Sequence, residues 1–157
     1  EACRHLKGLD SVVVVATDKC YRNREWDWGY RENDELGGDD PYSASKAAAE
    51  IAVAAFRQSF FHGAGIGLAS ARAGNVVGGG DWAADRLIPD IVRAWRRGEE
   101  ITLRYPHATR PWQHVLDCLH GYLLLAQRLH DDRAGTAHAW NFGPPPQAGR
   151  PPGASGP

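Results

Sequence analysis

Residues 11–19 run Ser-Val-Val-Val-Val-Ala-Thr-Asp-Lys, and this stretch decides the fold. Four consecutive valines favour extended backbone, because two heavy atoms on Cβ restrict χ1 and pack well on a pleated surface. The run is apolar on both faces, which predicts a central strand of a parallel sheet covered on both sides. It stops at Thr17-Asp18-Lys19, three polar groups at a strand's carboxyl end, where open α/β sheets hold their ligands.

The neighbouring segments fit that reading. Residues 1–8 resemble the last turns of a helix with Gly8 as its stop. Residues 20–40, CYRNREWDWGYRENDELGGDD, form a long polar loop. Loops of that length in a compact domain are functional or disordered, and Tyr21, Trp26, Trp28 and Tyr30 point to a packed lid. An Ala-rich helix is predicted over Tyr42–Phe60, with Pro41 at its entry, where a missing N–H costs nothing. A strand over Ile66–Arg72 follows, then the Gly-rich turn AGNVVGGGDW and a helix over Ala84–Arg97. Ile101–Arg104 suits a short strand, Val115–Leu129 an apolar helix and Ala139–Phe142 a last strand. This alternation implies α/β architecture.

Composition excludes several classes of function. The formal net charge is −1, so no basic field advertises nucleic acid or anionic lipid. The apolar run Val12–Ala16 is far too short to span a bilayer. Three cysteines, an odd number without a CxxC pair, argue against a disulfide framework or zinc ribbon and point to a reducing, cytoplasmic setting. Seven histidines form no HxxxH or HxH pair, so no metal site is expected. Residues 143–157, GPPPQAGRPPGASGP, hold six of the ten prolines and are expected to be a disordered tail. The folded body is placed at residues 1–142. The sequence contains no Met, and the expectation is a piece of a larger protein.

The sharpest chemical signal is Tyr42-Ser-Ala-Ser-Lys46. On a helix, positions i and i+4 share a face, so a phenol and an ammonium stand side by side. An ammonium beside a phenol favours the phenolate, and a Tyr so tuned can take or give a proton at neutral pH. Tyr-x-x-x-Lys alone is a weak pattern. Its place between the strand ending in Thr17-Asp18-Lys19 and the strand leading to Asn75 raises its value.

That layout resembles the extended short-chain dehydrogenase/reductase superfamily of NAD-dependent epimerases and dehydratases. Within it, TDKCYRNREWDWGYRENDELGGDDPYSASKAAAE, SARAGNVVGGGDWAADRLIPDIVRA and RPWQHVLDCLHGYLLLAQRL are similar to the dehydratases that act on CDP-glucose. Relatives with other substrates carry Thr-Asp-Glu where this chain has Thr-Asp-Lys. The resemblance implies the second half of a Rossmann-like doubly wound sheet with a small substrate-binding portion. It implies NAD as cofactor and a nucleotide sugar as substrate. The strand–GxxGxxG–helix that takes the NAD pyrophosphate is not among these residues, and GNVVGGG from Gly74 follows a late strand and is no substitute. A C-terminal fragment, inactive alone, is therefore expected, with another sugar-nucleotide 4,6-dehydratase or epimerase, or a non-catalytic remnant of one, as the alternative.

The resemblance also implies roles for individual residues. Thr17, Tyr42 and Lys46 are the catalytic set, with Tyr42 and Lys46 also holding the nicotinamide ribose. Asp18 is the acid for the departing C6 hydroxyl, which requires a carboxyl that keeps its proton at neutral pH. Lys19 is either the C5 base or a charge partner for substrate phosphate. Asn75 lies near the sugar diphosphate, Arg86 in Arg86-Leu-Ile-Pro89 near the base, and Arg110 pairs with diphosphate or forms a surface ion pair. Trp82 and Trp112 serve packing or the site. The family pairs subunits through the helix of the Tyr-x-x-x-Lys motif, which implies a homo-oligomer.

Overall fold

The computed structural model describes residues 1–144 except residues 27, 104, 105, 107 and 109. The valine run forms β1 (Ser11–Thr17) and pairs in parallel with β2 (Gly67–Ala73), in register from Ser11 opposite Gly67 to Thr17 opposite Ala73. β5 (Ala139–Phe142) lies on the other side of β2, also parallel, giving the order β1-β2-β5. A second parallel pair joins β3 (Val76–Val77) to β4 (Gln113–His114).

Helices cover both faces of the three-stranded sheet. α1 (Pro41–Phe56) starts with Asp40 as its cap and continues through a π-helical turn, Arg57–Phe61, into the short α2 (His62–Ala64). α3 (Leu87–Arg97) ends at Gly98, whose φ of +67° is the left-handed conformation of a helix stop. α4 (Val115–Asp131) leads into α5 (Arg133–Thr136). Side chains alternate across β2. Ala69 and Ala71 pack against Leu125 and Leu129 of α4, forming the apolar core with Val13, Tyr122, Trp140 and Phe142 around it. Ser70 and Arg72 face α1 and meet Glu50. The Rossmann-like α/β expectation thus holds, with a helix layer on each face.

Several local expectations change. β1 is not central among the described residues: it pairs only with β2, and Val15 is 62% exposed. The first residues form a single 3-10 turn, Ala2–His5, followed by Gly8 at φ +74°. The third helix starts at Leu87, not Ala84, because Asp85 adopts φ +61°, which no helix accommodates. Residues Ile101, Thr102 and Leu103 belong to no strand, and Arg104 lies outside the described residues. Most of the expected tail, residues 145–157, also lies outside them. The β3–β4 pair has no sequence signal, because two-residue strands show no periodicity.

Candidate active site

A cleft of about 1210 Å³ opens at the carboxyl ends of the parallel strands. Its floor is the end of β1: Thr17, Asp18 and Lys19 all line it. Thr17 caps the 3-10 turn Asp18–Cys20, its Oγ1 accepting from the Lys19 backbone N–H at 3.3 Å and donating to Asp18 Oδ1 at 3.1 Å. The hydroxyl and the carboxylate are therefore presented together. Gly74, just past β2, is required there. A Cβ on it would lie 2.5 Å from Pro111 Cγ and 3.3 Å from Asp18 Oδ2.

Tyr42 enters from the first turn of α1, 55% exposed and lining the same cleft. Its position depends on Asp40, whose Oδ1 accepts from the Ser43 N–H at 3.0 Å and whose Oδ2 accepts from the Ser43 hydroxyl at 2.6 Å. These bonds hold the Asp40 carboxyl below its ordinary pKa, with a smaller contribution from the Lys19 charge. Lys46 stands one turn behind Tyr42, with Nζ 5.4 Å from the phenol ring centroid. It is half-buried and does not itself line the cleft. The loop's return to α1 needs Gly38, since a Cβ there would sit 2.3 Å from Ser43 Cβ and 2.7 Å from the Ala44 backbone N.

The opposite wall comes from residues 74–82, 85–92 and 94 and from residues 100–103, 106, 108, 110 and 112. Asn75 lines the cleft beside β3, its carbonyl accepting from the Gln113 N–H at 3.0 Å. Arg86 lines the cleft from the position just before α3, and Arg110 from the segment before β4. Trp82 lines it too, 54% exposed, with Arg96 behind it at 5.9 Å from the ring centroid. Trp112 also faces the cleft. All sequence-selected site residues but Lys46 thus share one cavity.

Sequence reasoning missed what fixes the walls. Arg93 of α3 donates to the carbonyls of Trp82 at 2.9 Å and Ala83 at 3.1 Å and pairs with Asp90, which pins the 78–86 turn. None of the aromatic loop's described residues lines the cleft; the loop packs against the sheet through Tyr21, which is 5% exposed. Arg72 in the strand GLASARA and Glu50 in an Ala-rich helix were visible as isolated charges at inward positions, but their pairing was not. Among the described residues no cluster of His, Cys, Asp and Glu could hold a metal ion, and no helix is long and apolar enough to cross a membrane.

A parallel sheet flanked by helices, with an open cleft at its strand ends and a Tyr-x-x-x-Lys helix entering it, defines a Rossmann-like ligand-binding α/β protein. The comparison with family models is direct: residues 1–143 match the NAD dependent epimerase/dehydratase family, and the chain belongs to it. The CDP-glucose 4,6-dehydratase of Salmonella typhimurium is 54% identical over 92% of this chain, which spans 42% of that relative. A solved dTDP-glucose 4,6-dehydratase double mutant from Streptomyces venezuelae, with NAD bound, superposes with a TM-score of 0.70 at 26% identity, covering 87% of this chain and 39% of that one. A UDP-glucuronic acid 4-epimerase from Bacillus cereus reaches 0.75 at 19% identity, over 92% and 43% of the two chains, and shows the shared fold.

Proposed function

We propose that this chain carries the substrate half of an NAD-dependent dehydratase that converts CDP-glucose to the 4-keto-6-deoxy sugar. The observation that carries this reading is the convergence of Thr17, Asp18, Lys19, Tyr42, Asn75, Arg86 and Arg110 on one cleft. The 54% identity to a relative named for CDP-glucose supports the choice of nucleotide.

The site suits the nicotinamide end of NAD: Tyr42 opens onto the cleft and Lys46 stands one helical turn behind it. Bound there, NAD would supply the reversible two-electron oxidation of the sugar. Tyr42 Oη removes the O4 proton while the Thr17 hydroxyl hydrogen-bonds the same oxygen. Lys46, with Nζ 5.4 Å from the Tyr42 ring centroid, would hold the ribose. Asp18 gives its proton to the C6 hydroxyl, which leaves as water. Lys19 would take the C5 proton as water leaves and give it back to C5 when C6 is reduced with the two electrons removed from C4, so the sugar loses one water with no net oxidation. Arg110 and Asn75 hold the diphosphate, the planar guanidinium suiting bidentate contact. Arg86 and Trp82 border the end of the cleft nearest α3, the place for the base. Subunits pair through α1, whose Ile51 is 60% exposed.

The test is product formation by the intact protein with NAD and each of CDP-, dTDP-, UDP- and GDP-glucose. Conversion of CDP-glucose to its 4-keto-6-deoxy product, at a kcat/KM well above the other three, is the expected result. Preference for another nucleotide overturns the substrate assignment, and a 4-epimer product overturns the reaction.

A further inference from the structure

The sheet face under α1 is polar where the opposite face is apolar. Arg72, 5% exposed, donates from Nη2 to Glu50 Oε2 at 2.6 Å. Its Nη1 donates to Tyr21 Oη at 2.7 Å and to the Glu32 carbonyl at 2.9 Å. Ser70 Oγ donates to the same Glu50 oxygen at 2.8 Å. Tyr21 Oη donates onward to Asn141 Oδ1 at 2.7 Å. Asn141 then donates from Nδ2 to the Tyr30 carbonyl and from its backbone N–H to the Glu32 carboxylate, both at 2.9 Å. One guanidinium and one phenol thus tie α1, β2 and β5 to the 20–40 loop.

A buried ion pair is a poor device for stability alone. Desolvation offsets most of the attraction, and apolar side chains of the same volume stabilise a core as well or better. Arg72 Nε also finds no partner among the described residues, a cost that a stabilising arrangement would have avoided. What the network supplies is direction. The loop it holds starts at the turn carrying Asp18 and Lys19 and ends at Asp40, the cap that sets Tyr42. The Gly37 N–H donates to the Cys20 carbonyl and the Arg22 N–H to the Glu35 carbonyl, both at 2.9 Å, closing the loop beside those two ends. Tyr21 stacks on Tyr30 at 5.0 Å. Burial raises the Tyr21 phenol above its ordinary pKa and the Cys20 thiol to about 11, so both stay neutral hydrogen-bonding groups.

We propose that Glu50, Arg72, Tyr21 and Asn141 are positioning residues that lock the 20–40 loop to the sheet and thereby hold Asp18 and Lys19 in register with Tyr42. The inference rests on the dehydratase reading of the cleft. None of the four lines that cleft, so none is placed to touch substrate.

Tyr21→Phe tests it in the intact protein, because it removes one hydroxyl and keeps both the ring stack and the Arg72–Glu50 pair. Amide hydrogen exchange in residues 20–40 should accelerate by at least roughly tenfold, the size of one of the two hydrogen bonds lost, while β2 and α4 stay unchanged. In turnover, kcat should fall roughly tenfold with KM within about twofold, since the substrate contacts remain. Arg72→Lys, which keeps the charge but loses the planar fork, should show the same split. Unchanged loop exchange overturns the proposal. So does faster loop exchange with unchanged kcat, or exchange that rises equally throughout the chain. If the intact wild-type protein turns over no nucleotide sugar, the dehydratase reading falls by itself. The locking is then decided by exchange alone: local acceleration upholds it and none overturns it.

Discussion

In the proposed reaction Lys19 is the side chain whose role most needs a test, because it lines the cleft beside Thr17 and Asp18. It is exposed in the cleft, and its charge reaches Asp40 at the head of α1. If it is the C5 base, Lys19→Ala in the intact protein leaves C4 oxidation working, since Thr17, Tyr42 and Lys46 remain. The reaction then stalls before water is lost. Solvent deuterium entering C5 and single-turnover NADH absorbance check this together; a raised KM with an unchanged kcat assigns Lys19 to substrate phosphate instead. Tyr42→Phe differs in kind. Removing the phenol oxygen should abolish turnover and spare affinity for the nucleotide sugar, measured by calorimetry, because proton transfer needs that oxygen and diphosphate binding does not.

Among the elements, α1 shows how a helix start places a reactive group. Pro41 supplies a preset φ, and Asp40 satisfies the N–H of Ser43. Asp40→Ala should lower the melting temperature and loosen Tyr42. The pH dependence has a defined sign. The folded-state pKa of Asp40 lies below its ordinary value, so its contribution is complete above about pH 4 and is lost as pH falls through the depressed pKa. The stability gap between the wild type and Asp40→Ala, followed by circular dichroism, should therefore close on acidification below about pH 4.

Two features act on the whole molecule. The apolar core is small and centred on Leu129, which is fully buried against Ala69 and Ala71. Leu129→Ala should cost about 2–5 kcal/mol, read from denaturant unfolding, because the surrounding strands can only partly close the cavity. β1 presents one edge without a partner among the described residues, and Val15 is exposed on it. Unpaired apolar edges recruit other chains. The 157-residue chain should self-associate, and Val15→Lys should shift it toward monomer in size-exclusion chromatography with light scattering.

By itself the sequence determined most element types and singled out the residues proposed to carry the chemistry. The valine run, the Tyr-x-x-x-Lys spacing and Pro41 are local signals, set by side-chain shape and helical period, and β5 matched its expected bounds of Ala139–Phe142. Only the tertiary structure decided which groups meet. Arg72 and Glu50 are 22 residues apart and Tyr21 and Asn141 are 120 apart, so no local periodicity could pair them. Asp85 delayed the start of the expected helix through a left-handed backbone that its residue type permits but does not announce. The aromatic loop looked like a lid because its composition is that of a packed surface. Composition says that such rings will be buried, and only the buried guanidinium of Arg72, waiting on β2, decided against which face.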